Sequence, residues 1–111
     1  MEGGLRGFRA WLWQRATALY LAVYLVYLLA KGVLDPPADL EALRAWLGAT
    51  PVWIATALFG LSLLLHAWIG VRDVVLDYVK PAGLRLVILA LVLLFLLANG
   101  VWLAALLLEL R

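Results

Sequence analysis

Cysteine is absent from this chain, and that absence closes several chemistries at once. Disulfide frameworks, thiolate zinc sites, iron–sulfur ligation from within the chain and thiol catalysis all need a sulfhydryl. Histidine is almost absent too, so His66 alone carries whatever imidazole chemistry the chain performs. Charge is the third scarcity: Asp, Glu, Lys and Arg make up 14% of the residues against 68% hydrophobic, with a mean hydropathy of +1.05. An ordinary soluble domain is about one quarter charged. Too little polar surface is available here to face water, and the composition predicts a membrane protein. The formal net charge of +2 does not point to nucleic acid, because the nine Lys and Arg residues are scattered between apolar runs. No dinucleotide-binding glycine fingerprint occurs either.

What the chain does have is three long apolar runs. The first begins at Ala16 and reaches Leu34 if Val33 and Leu34 extend it past Lys31; the second is free of charged residues from Ala45 to Val71; the third, Leu86 to Leu108, holds no charge for 23 residues. A spanning helix needs about 20 apolar residues, and only helices or closed barrels satisfy the backbone in lipid. None of the runs alternates with the period of a barrel strand. The expected fold is therefore all-α: a single membrane domain over residues 1–111, with spans at about 14–34, 51–72 and 85–108, the second helix continuing to about residue 79. The first run exceeds a signal-peptide core, and Lys31–Asp35 makes a poor cleavage site, so the segment reads as a retained first helix.

The flanks set the orientation. Arg6, Arg9 and Arg15 precede the first span, and Arg72, Lys80 and Arg85 surround the second loop; Lys31 and Arg44 lie in the first loop and Arg111 in the tail. The excess of cations on the first side predicts a cytoplasmic N-terminus and an outward C-terminus in an inner membrane. Residues 1–13, with Phe8, Trp11 and Trp13, read as an interfacial lead-in. In the first loop, Pro36-Pro37 breaks the chain, Asp39 stands where a helix N-cap belongs, and Gly48 ends a short amphipathic helix before Pro51 opens the second span. Pro81 disfavours helix at Lys80.

Within the second span the polar residues fall on one stripe. At about 100° per residue from His66, Ser62 lies near −40°, Gly70 near +40°, Asp73 near −20° and Asp77 near +20°. Such a stripe cannot face lipid, where an unpaired polar group costs several kcal/mol. It faces protein, a cofactor or a cavity. Three uses remain open for His66: a hydrogen bond between helices, a proton relay, or ligation of a metal or haem. Gly70, one turn on, leaves room for a flat macrocycle beside the imidazole, though small residues also mark helix–helix contacts.

The stretch "HAWIGVRDVVLDYVKP", with His66, Gly70, Asp77 and Tyr78, closely resembles the surroundings of the haem-ligand histidine in the small hydrophobic membrane-anchor subunit of succinate dehydrogenase. "RATALYL" at Arg15–Leu21 is similar to the opening of that family's first span. The resemblance covers essentially the whole chain. It implies half of a heterodimeric haem-binding helical bundle, with haem b shared with a second small, cytochrome b-type anchor subunit. It also implies an iron–sulfur subunit and a flavoprotein subunit as partners, and ubiquinone or menaquinone as substrate. On that likeness His66 is an axial ligand to the haem iron, and Gly70 packs against the haem. Arg15 sits near the propionates or the quinone pocket, Tyr78 donates to a quinone carbonyl, and Asp77 supplies protons. The chain itself then holds no catalytic residue, succinate chemistry belonging to other subunits. From the residues alone, Asp77 and Tyr78 read equally as a boundary acid and an interfacial aromatic, and Arg15 as a positive-inside anchor. A small transporter or channel subunit is a competing class, as is an assembly subunit of another respiratory complex. A transporter of this size would carry a carboxylate within a span, and none of the three runs has one.

Overall fold

Four helices form in chain order: α1 (Glu2–Leu34), α2 (Leu40–Gly48), α3 (Thr50–Tyr78) and α4 (Ala82–Glu109). The structure is a computed structural model describing the backbone of residues 2–111 and side chains from Gly7 onward. Met1 and the side chain of Arg6, one of the cations counted on the first flank, lie outside the described residues. Helices α1, α3 and α4 are each long and apolar enough to cross a membrane, and no strand occurs among the described residues. The fold class is the all-helical membrane architecture that the hydropathy predicts.

Residues 2–13 are helical and continuous with the first span in α1. Each interior glycine there costs about 1 kcal/mol of helix propensity. No proline interrupts the segment, however, and backbone groups entering lipid must satisfy one another. α1 ends ahead of Pro36, with the Asp35 N–H still bonded to the Lys31 carbonyl at 3.0 Å. Asp39 caps α2 as its position predicts, its carboxylate accepting from the Ala42 N–H at 2.8 Å. Pro51 lies in the first turn of α3, where its missing N–H would have had no partner. α3 stops at Tyr78. Arg85 reaches back across the turn and donates to the Val79 carbonyl at 3.1 Å and the Leu76 carbonyl at 3.4 Å, a cation on the negative end of the α3 dipole.

α3 is the central helix, packed on α1 along one side and on α4 along the other. The two seams differ in chemistry. Between α3 and α4 the fit is small against large: a Cβ on Gly60 would run into Cδ2 of Leu103 at 2.0 Å, and a Cβ on Gly100 would stand 3.0 Å from Cδ1 of Leu64. Close approach of this kind holds membrane helices together where no hydrophobic force acts between them. The far end of that seam is pinned by Trp53, whose indole donates to the Leu107 carbonyl at 2.7 Å, and by Arg111, which lies over the Trp53 ring and donates to Thr50. Between α1 and α3 the fit is polar and aromatic. The Tyr20 hydroxyl donates to the Ala55 carbonyl at 2.6 Å, Tyr24 pairs with Thr56, and Tyr24 packs on Phe59 with ring centres 4.8 Å apart. The outer faces carry exposed leucine, valine and phenylalanine, and the most apolar window of α4 buries none of its residues against the rest of the chain.

Candidate functional site

Thr17 is the buried polar side chain of the described residues, with 5% of its surface exposed, and it lies against His66. Its hydroxyl oxygen is 2.7 Å from the Trp13 carbonyl one turn back on α1, 3.2 Å from the Gln14 carbonyl and 3.2 Å from Nδ1 of His66 on α3. A threonine hydroxyl has one proton to donate and two lone pairs. The proton goes to the Trp13 carbonyl, the shortest of the three contacts, in the back-bonding geometry that helical threonines favour. A lone pair then faces His66, so we assign Nδ1–H as the donor to Thr17. In a neutral imidazole that leaves Nε2 unprotonated, with its lone pair free.

His66 lines a groove of about 440 Å³ together with Gln14, Ala67, Gly70, Val71 and Val74. Histidine and glycine therefore share a wall, one turn apart on α3. Gly70 keeps that wall low: a Cβ there would sit 3.3 Å from the Gln14 amide nitrogen, closer than ordinary packing. The side-chain oxygen Oε1 of Gln14 is buried without a hydrogen-bond partner among the described residues, a state that costs about 1–3 kcal/mol. Among the described residues no group of three His, Asp or Glu side chains converges on a metal position, so His66 offers a single ligand.

Arg15 lies on α1 beside Gln14. Its guanidinium stacks over the Trp11 ring at 5.7 Å, and it lines a second groove of about 360 Å³ with Gly7, Ala10, Trp11, Gln14, Arg72 and Asp73. Arg72 and Asp73 pair at 3.2 Å at the groove's edge. Both line the same groove as Arg15. Thr17 facing His66 and Gln14 facing Gly70 set an antiparallel register between α1 and α3. In that register Asp77 and Tyr78 lie level with the beginning of α1, some two turns beyond Arg15. Both are exposed, Tyr78 at 79%. The structure thus joins His66 to Gly70 and Arg15 to Arg72–Asp73, and places Asp77 and Tyr78 further along the same end without contact to either group.

Thr17 and Gln14 are the site residues that sequence reasoning passed over. A signal was present: Gln14, Thr17, Tyr20, Tyr24, Tyr27 and Lys31 recur at three- and four-residue steps, a polar and aromatic face on an otherwise apolar helix. That face is the one α1 turns to α3 and α2.

Comparison with known proteins identifies the family. Residues 6–99 match the succinate dehydrogenase/fumarate reductase transmembrane subunit family. A relative, the succinate dehydrogenase hydrophobic membrane anchor subunit of Coxiella burnetii, is 35% identical over 97 residues, which cover 87% of this chain and 84% of the relative. Three apolar helices and a likeness spanning most of both chains lead to one conclusion: this chain belongs to the succinate dehydrogenase/fumarate reductase transmembrane subunit family, as a membrane anchor.

Proposed function

We propose that this anchor contributes one axial ligand of a shared haem b and part of a quinone-reducing site. The observation that carries the reading is the contact of His66 Nδ1 with Thr17, while His66 lines a groove with Gly70 on the same wall. With Nδ1–H donated to Thr17, Nε2 keeps the lone pair that ligation requires.

The residues fit a haem. His66 Nε2 would coordinate the iron, Gly70 would let the ring plane approach α3, and Arg15, in the neighbouring groove that shares Gln14, would offer a cation to a propionate. When bound, haem supplies a one-electron carrier inside the membrane. Because the chain has one histidine, the second axial ligand comes from the partner anchor. Tyr78, exposed beyond the end of α3, would donate its hydroxyl to a quinone carbonyl, and Asp77 beside it would pass protons to the reduced quinone. The cation excess supports a cytoplasmic position for this end, with the N-terminus and the α3–α4 turn. An iron–sulfur subunit and its flavoprotein partner would dock there and bring the electrons from succinate.

The test is His66→Leu in the assembled complex. Loss of haem, or conversion of its low-spin spectrum to high-spin, is the expected result. An unchanged spectrum and midpoint potential would remove His66 as ligand and return it to a packing role.

A further inference from the structure

We infer that Thr17 is a positioning residue for His66: its hydroxyl fixes the ring plane and raises the electron donation of the ligating nitrogen. The inference rests on the proposed ligation and adds a residue on a different helix.

The geometry is constrained at every atom. Thr17 is buried, and its hydroxyl rotor is set by donation to the Trp13 carbonyl at 2.7 Å. Its lone pair therefore points in a fixed direction, toward Nδ1 of His66 at 3.2 Å. An imidazole turns about its bond to Cβ with a broad, roughly two-fold preference. One hydrogen bond to an immobile acceptor selects a single orientation and excludes the flipped ring. The same bond pulls electron density through the ring, because a polarised N–H makes the opposite nitrogen a stronger base. Stronger donation favours the ferric state, so the hydrogen bond holds the haem potential below the value it would otherwise take. The acceptor is a neutral hydroxyl already donating elsewhere, so the effect is graded and the ring stays an imidazole.

Thr17→Val keeps the side-chain shape and removes the acceptor, whereas Thr17→Ser keeps the acceptor. In the purified complex, Thr17→Val is expected to retain haem at the wild-type ratio to flavin. Its midpoint potential should rise, and the g-value spread of its ferric low-spin EPR signal should change as the ring is released. Thr17→Ser should return both toward wild type. A structural role alone would lower yield or thermal stability without moving the potential. The wild-type complex provides a readout free of any folding defect. Pulsed EPR of the remote imidazole nitrogen should show the reduced quadrupole coupling of a hydrogen-bonded N–H. An unbonded value there, or a wild-type potential and EPR signal in Thr17→Val, overturns the inference and leaves the ligation standing. An unchanged spectrum in His66→Leu instead overturns the ligation itself.

Discussion

Packing of α4 on α3 depends on glycine, and Gly60→Ala is the sharpest probe of it. The added Cβ would stand 2.0 Å from Cδ2 of Leu103 and 3.4 Å from its Cγ. Carbon atoms rest at about 3.5–4.0 Å, so the leucine tip has to withdraw by roughly 1.5–2 Å, while its branch point is already near contact. Space exists for the tip: Leu103 borders apolar grooves of about 240 and 550 Å³. The cost therefore falls in the lower part of the range for overpacking, about 1–2 kcal/mol. Gly100→Ala, with 3.0 Å to Leu64 Cδ1, requires a smaller shift and should cost below about 1 kcal/mol. The two residues in contact should couple, so Leu103→Ala in the Gly60→Ala background should recover part of the loss rather than add its own. Thermal inactivation midpoints of the purified complex give the ranking, with Gly60→Ala below Gly100→Ala and both below wild type. Gly60 is six residues from His66, about 9 Å along the helix, so haem content should hold in both. A wild-type midpoint for Gly60→Ala, or simple additivity with Leu103→Ala, would refute this account of the seam.

Two further outcomes follow from the groove and the exposed end of α3. Gly70→Leu should fill the wall beside His66 and lower the haem-to-flavin ratio several-fold, whereas Gly70→Ala, needing Gln14 to give only a few tenths of an ångström, should keep most of it. Full haem in Gly70→Leu would mean that the cofactor does not approach α3 there. Tyr78→Phe should leave the haem spectrum intact and slow succinate-linked quinone reduction about tenfold or more; unchanged turnover would make Tyr78 an interfacial ring only.

Hydropathy makes the long helices legible because it sums over some twenty residues, and a single misjudged position changes nothing. Asp39 and Pro51 were legible for a different reason: caps and first turns depend on the nearest residues alone. Periodicity also put His66 and Gly70 on one face of α3, and they share one groove. It could not say what stands opposite. Thr17 against His66, and Arg72–Asp73 against Arg15, depend on how far α1 slides along α3, and no local pattern encodes that offset.

The register itself comes from the polar seam. Three hydrogen-bond rungs join α1 to α3: Tyr20 and Tyr24 converge on the neighbouring Ala55 carbonyl and Thr56, and Thr17 meets His66 further along α3. Hydrogen bonds between membrane helices average only about 0.6 kcal/mol, so three of them contribute roughly 2 kcal/mol, less than one good apolar seam. Their value is in discrimination. Turning α3 by one residue swings every partner through about 100° and breaks all the rungs together, leaving unpaired polar groups in lipid. The seam thus specifies the rotation of α3 more than it stabilises the pair, and so decides where the free edge of His66 points. The groove that His66 lines is built from α1 and α3 residues alone, while α4 covers the other flank of α3. On the proposed reading, the subunit that supplies the second axial ligand must therefore approach over the α1–α3 side, leaving the outer face of α4 to lipid.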